Sequence, residues 1–256
     1  MPESARRRRP KTCLDRDLAA LVGDISVPGP LLPLMPLPPQ NSPRCSLYLV
    51  TPLLSAADAD AFVGIFASAL EAAPIACALV RLAPRAEAHA KAIVTPLVRP
   101  ARDTDCALLI ENDARLAARL GADGVHVAGA GEDLVEAMKS LKPERIVGAG
   151  SLRTRDEAMS AGEMGTDYVM FGEPHVGAQA MGLASLMSLT ERVAWWAEIF
   201  ETPCVAFAET IEAAGTLADA GADFVALGDA VWASASPAAA VREAQARITR
   251  VGAGVP

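Results

Sequence analysis

From Ser46 onward the chain alternates between two patterns of apolar and polar positions. Short apolar runs occur at 47–50, 76–82, 107–111, 124–127, 145–150, 168–172, 203–208 and 224–228. Between and after them lie Ala-rich segments with helical spacing, near 57–71, 86–100, 113–120, 132–140, 154–164, 185–200, 210–219 and 237–249. Apolar runs without internal alternation suit strands covered on both faces, and the longer amphipathic segments suit helices that provide the cover. Eight strands alternating with eight helices predict a parallel α/β sheet that closes on itself, a single (β/α)8 TIM barrel. A doubly wound sheet is the alternative, but it seldom produces so even a repeat.

Three helix-to-strand joints share one chemistry: Gly121-Ala122-Asp123, Gly165-Thr166-Asp167 and Gly221-Ala222-Asp223. A glycine there can take the left-handed conformation that ends a helix, so these joints mark the stability face of the barrel. Chemistry is then expected at the opposite face, at the carboxyl ends of the strands.

Residues 1–44 do not follow the pattern. The run Arg6-Arg7-Arg8-Arg9 and the proline-rich stretch from Pro28 to Pro43 predict a disordered Arg/Pro-rich extension ahead of a barrel at 45–250. Neither an uninterrupted apolar h-region nor a small-residue cleavage site follows the arginines, so a Sec or Tat signal is not expected. A solvated tail is the plain reading, a targeting or anionic-surface role the alternative. Translation starting at Met35 is a further expectation.

Composition narrows the function. The 256 residues and 26.6 kDa suit one barrel, and 52% apolar residues can fill a large core. Residues 1–44 hold seven Lys/Arg against four Asp/Glu and the remainder 16 against 27, so the globular body is acidic. That argues against a nucleic-acid surface, and no run of about 18 uncharged apolar residues predicts a membrane span. The five cysteines at 13, 45, 77, 106 and 204 are odd in number and mostly inside apolar runs. They read as reduced, buried thiols of a cytoplasmic protein, without a disulfide or metal framework.

The richest segment is ENDARLAARLGADGVHVAGAGED, from Glu111 to Asp133. Strand, polar pair, helix, glycine turn and strand make one βαβ unit, which puts Asn112 and Asp113 at a strand's carboxyl end. Asp113 can serve as a hard oxygen ligand for a cation or as the N-cap of the following helix, and the roles can coexist. His126 stands in an apolar strand, where a hydrogen-bonded core histidine is the common outcome and acid–base chemistry the sharper one.

This segment resembles that of the thiamine phosphate synthases and their TenI-type relatives, which reads approximately N-D-x-x-x-x-A-x-x-x-x-A-D-G-V-H-L-G-Q-x-D. Leu47-Tyr48-Leu49-Val50-Thr51 resembles the family's L-Y-L-V-T, and Tyr168-Val169-Met170-Phe171-Gly172 its D-Y-V-G-F-G-P. The likeness spans roughly residues 45–245. It implies the joining of an aminopyrimidine diphosphate to a thiazole phosphate, with release of pyrophosphate and formation of thiamine phosphate. It further implies Arg81 and Ser151 as catalytic residues, Asn112, His126 and Gly172 against the small-molecule substrates, and Asp113 with Asp133 on Mg2+.

Departures from the family's pattern are concentrated where anions would be held. Leu79 and Ala83 replace the Gln and Lys of Q-L-R-E-K, and Gly131 stands where the second metal carboxylate is expected, leaving Asp133 as its nearest substitute. Arg153 occupies the position of the TenI-type acid–base histidine. The segment from Glu173 to Gly182 has neither Thr nor Lys. Glu209 replaces part of a glycine nest, and Asp229 a serine, at the positions expected to bind the thiazole phosphate. A carboxylate about 4 Å from a phosphate charge costs on the order of 4 kcal/mol at an effective dielectric of about 20. The expectation is therefore a thiamine phosphate synthase-like barrel with a diverged phosphate site. Two other classes stay open: a non-catalytic binding or regulatory barrel, and an enzyme whose acidic mouth (Asp113, Asp133, Glu173, Glu209, Asp229, with His175) takes a metal or a cationic, non-phosphorylated ligand. Trp195 and Trp196 suit either a homo-oligomer interface or an outer helix packed on the barrel.

Overall fold

The computed structural model describes residues 45–84, 86–172 and 183–250. The expected extension at 1–44 and the segment carrying Glu173 and His175 lie outside the described residues. Eight parallel strands close in sequence order, β1 pairing with both β2 and β8. They are β1 (Ser46–Leu54), β2 (Ile75–Leu82), β3 (Ala107–Glu111), β4 (Gly124–Ala128), β5 (Ile146–Gly150), β6 (Tyr168–Phe171), β7 (Cys204–Ala208) and β8 (Phe224–Leu227). The helices between and after them are α1 (Ala59–Ala72), α2 (Ala90–Asp103), α3 (Ala114–Leu120), α4 (Glu132–Leu141), α5 (Arg155–Glu163), α6 (Leu183–Ile199), α7 (Ile211–Asp219), α8 (Asp229–Trp232) and α9 (Pro237–Arg250). The predicted TIM barrel is the observed fold.

Strand periodicity divides the interior in two. Outward positions such as Leu49, Val80, Ile110, Val127, Val169 and Phe171 merge with the buried faces of the helices into one continuous core. The alternate positions, Tyr48, Leu79, Leu109, His126 and Tyr168, are also buried and fill the inside of the barrel. Cys45, Cys77, Cys106 and Cys204 are buried, as the sequence suggested.

At the amino-terminal face the three Gly-x-Asp joints do more than end helices. Gly121, Gly165 and Gly221 have φ of 73°, 81° and 100°, the left-handed conformation that glycine adopts without strain. The aspartates then tie β4, β6 and β8 each to the strand before it. Asp123 accepts from Leu108 N at 2.8 Å, Asp167 from Val147 N at 2.7 Å and Asp223 from Cys204 N at 2.8 Å. The backbone of each returns a bond to the same strand: Asp123 N donates to Leu108 O, Asp167 N to Val147 O and Asp223 N to Cys204 O. Strand-end groups that closure would leave orphaned are thus satisfied.

Two differences from the sequence reading shape the catalytic face. β1 does not stop at Val50 but runs on to Leu54. Its register with β2 shifts between Val50 and Leu53, where Pro52 has no N–H to give the ladder, and within the shifted stretch the Thr51 hydroxyl accepts from Arg81 N at 3.0 Å. Second, the end of β8 turns directly into the one-turn helix α8, an element the sequence reading did not place between 228 and 237. Trp232 anchors that turn by donating from Nε1 to Val50 O at 2.7 Å, with its ring 5.0 Å from that of Phe62.

Candidate active site

The carboxyl-terminal mouth holds a cavity of about 130 Å³. Leu79 and Met170 supply its apolar wall; Arg81, Glu111, His126 and Ser151 supply its polar groups, and Gly172 lies at its edge. A cavity of about 150 Å³ accepts a benzene ring, whereas sites for larger ligands span roughly 300–1,000 Å³. The space bounded by these residues is therefore about the size of a single ring.

Inward-facing alternation puts these groups together: Leu79 and Arg81 on β2, Glu111 on β3, His126 on β4 and Met170 on β6. Two glycines of β5 make the room. A Cβ on Gly148 would stand 2.0 Å from the Tyr168 ring, and one on Gly150 would stand 2.4 Å from His126 Nε2. Glycines at alternate strand positions are thus the places where the two rings lie against bare backbone.

His126 is buried and hydrogen-bonded through Nδ1 to the Tyr168 hydroxyl at 2.8 Å, which in turn meets the Tyr48 hydroxyl at 3.0 Å. Burial, and after it the Arg81 charge, pushes the imidazole from its ordinary 6.5 down to about 4, so the ring is neutral at physiological pH. Desolvation raises both phenols well above their usual range, and both stay protonated.

Arg81 is paired with Glu111, its Nε lying 3.3 Å from Oε1. That approach lacks hydrogen-bond geometry, and the buried Nε has no hydrogen-bond partner among the described residues. A buried unsatisfied donor on a cation is costly unless a ligand completes it. Glu111 was not singled out from the sequence as a site residue. The visible signal was a carboxylate ending an apolar strand at the functional face. Tyr48 and Tyr168 were read only as parts of motifs, although Val147-Gly148-Ala149-Gly150 already showed where large neighbouring rings would need space.

The other expected residues lie around this cavity, not in its wall. Asn112 takes φ of 56°, its Oδ1 accepts from Ala128 N at 2.7 Å and its backbone N donates to His126 O at 2.8 Å, so it latches the ends of β3 and β4. Ser151 shares this left-handed conformation with φ of 54°, as does Asp105 at the other end of the barrel with φ of 57°. Asp113 caps α3, accepting from Leu116 N at 2.7 Å. Asp133 is exposed in the first turn of α4, behind Gly131. Glu209 is half-buried just beyond β7, and Asp229 is the exposed first residue of α8. Beyond Ser151, Thr154 caps α5 in a full capping box with Glu157.

No group of three or more His, Cys, Asp or Glu side chains able to hold a metal occurs among the described residues. Mg2+ commonly takes only one or two carboxylates and completes its shell with water and substrate phosphates. Asp113, with one oxygen committed to the cap, and the exposed Asp133 suit such a shared site in donor chemistry.

The family model for thiamine monophosphate synthase matches residues 47–231. Thiamine-phosphate synthase from Rhodospirillum centenum is 41% identical over 212 residues, covering 78% of this chain and 95% of its own. The enzyme of the same name from Hyphomonas neptunium is 35% identical, covering 79% and 93%. Among solved structures, thiamine phosphate pyrophosphorylase from Pyrococcus furiosus superposes with a TM-score of 0.67 at 22% identity, over 82% of this chain and 98% of that one. A 3-hexulose-6-phosphate synthase follows at 0.60 and 21%, over 79% and 99%, a likeness of fold alone. With the family model spanning all eight strands and two relatives aligned over nearly their full length, this chain belongs to the thiamine monophosphate synthase family.

Proposed function

We propose that the protein is a transferase of thiamine biosynthesis, joining a hydroxymethylpyrimidine diphosphate to a thiazole phosphate, with a diverged site that holds the thiazole phosphate weakly. The observation that carries this reading is the ring-sized cavity at the strand ends, with the guanidinium of Arg81, whose Nε makes no hydrogen bond to the described residues, in the wall beside a neutral His126. Such a wall suits a heterocycle bearing an anionic arm: Leu79 and Met170 cover the ring faces while Arg81 draws the diphosphate.

In the proposed reaction the bond from the pyrimidine methylene to the diphosphate oxygen breaks, and the thiazole nitrogen takes the methylene. The chain's task is to orient the two rings, exclude water from the cation-like carbon and stabilise the departing pyrophosphate. Arg81 serves the last role, and the Ser151 hydroxyl, in the cavity wall, donates to a phosphate oxygen. Asp113 and Asp133 are the residues that would hold Mg2+, whose charge when bound offsets that of the pyrophosphate.

The Arg81–Glu111 pair gives one specific reason for a second reading, in which the barrel takes a cationic or non-phosphorylated ligand, or binds without catalysis. Glu111 already neutralises part of the charge an anion would need. Calorimetric titration with pyrimidine diphosphate and with thiazole phosphate, each with and without Mg2+, separates the two, together with an assay for thiamine phosphate. The proposal expects diphosphate binding, weaker thiazole phosphate binding and slow product formation. No binding of either substrate and no product would leave the second reading standing.

A further inference from the structure

The hydroxyls of Tyr48 and Tyr168 and the His126 ring form a buried line that runs through the inside of the barrel toward its mouth. Tyr168 is level with Gly148 in the β5–β6 register, whereas His126 Nε2 lies over Gly150, two residues nearer the carboxyl end. Nδ1 is thus turned down the barrel onto Tyr168, and the opposite edge of the ring is turned up, toward the cavity that His126 lines. We infer that the two tyrosines fix the tautomer of His126, so that Nε2–H is presented to the cavity as a hydrogen-bond donor to a ring nitrogen or oxygen of the bound heterocycle.

Direction in this chain follows from donor and acceptor strength. A phenol is a better proton donor than a neutral imidazole N–H, and an imidazole nitrogen is a better acceptor than a phenol oxygen. Tyr168 O–H therefore donates to Nδ1, and Tyr48 O–H donates to the Tyr168 oxygen. Both strong donors are then used. In the reverse arrangement the Tyr48 proton would turn to the sulfur of Cys77, a weak acceptor, and the imidazole nitrogen would go without the better phenol donor. With Nδ1 accepting, the ring's proton sits on Nε2. Burial and the Arg81 charge keep a second proton off the ring, which makes the donor a neutral one beside the cation.

His126 is then the group that touches the ligand, and Tyr168 is a positioning residue acting through it. The arrangement answers the loss of a polar side chain at Leu79, because Nε2–H gives the apolar side of the cavity one directed polar contact. The identity of the ligand as a heterocycle rests on the proposed function; the tautomer does not.

The test is nitrogen-15 NMR of the histidine side chains of the full chain at neutral pH, with the His126 signals identified by their loss in His126→Gln. The wild type should show Nε2 protonated and Nδ1 bare but shifted by an accepted hydrogen bond. Tyr168→Phe, whose melting curve reports folding, should move Nδ1 to the position of a free acceptor. Pyrimidine diphosphate should shift the Nε2 signal on binding. His126→Gln keeps a terminal amide donor and should stay within about threefold of wild-type affinity, while His126→Leu should lose about tenfold, or about 1.4 kcal/mol. A proton on Nδ1, an imidazolium at neutral pH, or an unmoved Nε2 signal with ligand bound overturns the inference. If the diphosphate does not bind the wild type, the synthase reading falls and the wild-type spectrum alone decides the tautomer.

Discussion

Protonating His126 means placing a charge in the barrel interior beside Arg81, and this has a measurable consequence for stability. The folded ring titrates at about 4 and the unfolded one near 6.5. Between those values the unfolded chain binds a proton that the folded chain does not, so stability falls as pH falls through that window. Urea denaturation from about pH 7 to about pH 5 should show a loss on the order of 2 kcal/mol, and His126→Gln should flatten that part of the profile. Equal slopes in the two proteins would mean the ring is not held neutral. Asp113 illustrates the opposite kind of residue, one with two roles compatible with a single position. Asparagine caps a helix about as well as aspartate but is a poorer Mg2+ ligand. Asp113→Asn should therefore change the melting temperature little and abolish Mg2+ binding; unchanged metal affinity would leave only the cap. Asp113's capping role was legible because a cap and its helix are adjacent in sequence. The partners of His126 were not, since Tyr168 and Tyr48 reach it only through barrel closure.

The elements themselves were largely readable, because each strand is a short apolar run and each helix carries its own periodicity. What escaped was set by neighbours. β1 reaches Leu54 past Pro52 because it resumes pairing with β2 at Leu53 and Leu54, with the Thr51 hydroxyl holding Arg81 N at the shift. The turn of α8 holds because Trp232 reaches across to Val50 O. The Gly-x-Asp joints were half-read: glycine explains the end of a helix, whereas the aspartate's function lies on the neighbouring strand. Asp123→Ala and Asp223→Ala each leave a strand N–H without its carboxylate and should cost about 1–3 kcal/mol in chemical denaturation. Asp167→Ala should cost more than Asp123→Ala, because Lys142, 2.5 Å from its Oδ1, loses its ion partner as well. Losses within a few tenths of a kcal/mol at all three would show that water replaces the carboxylates and that the repeat is not a clamp.

At the scale of the whole molecule, architecture and family were legible together, since the even β–α repeat and the strand-end motifs point to one barrel. The state of the anion site was less so, because charge at a mouth acts through space and is assembled from several loops. The proposed divergence places its weight on Glu209 beyond β7 and Asp229 at the start of α8, where a phosphate would meet carboxylates instead of bare amides. Thiazole phosphate should accordingly bind the wild type with an affinity on the order of millimolar or weaker. A variant combining Ala208→Gly, Glu209→Gly and Asp229→Ser removes two negative charges and exposes backbone N–H groups. It should bind at least about tenfold more tightly, a gain of about 1.4 kcal/mol. The gain should shrink as salt is added if it comes from charge, and it should persist if the opened backbone provides it. Mg2+ would screen the same carboxylates, so its addition should narrow the difference between the two proteins. Micromolar binding of thiazole phosphate by the wild type, with turnover, would show that the two carboxylates do not obstruct the phosphate. The chain would then be an ordinary synthase of its family.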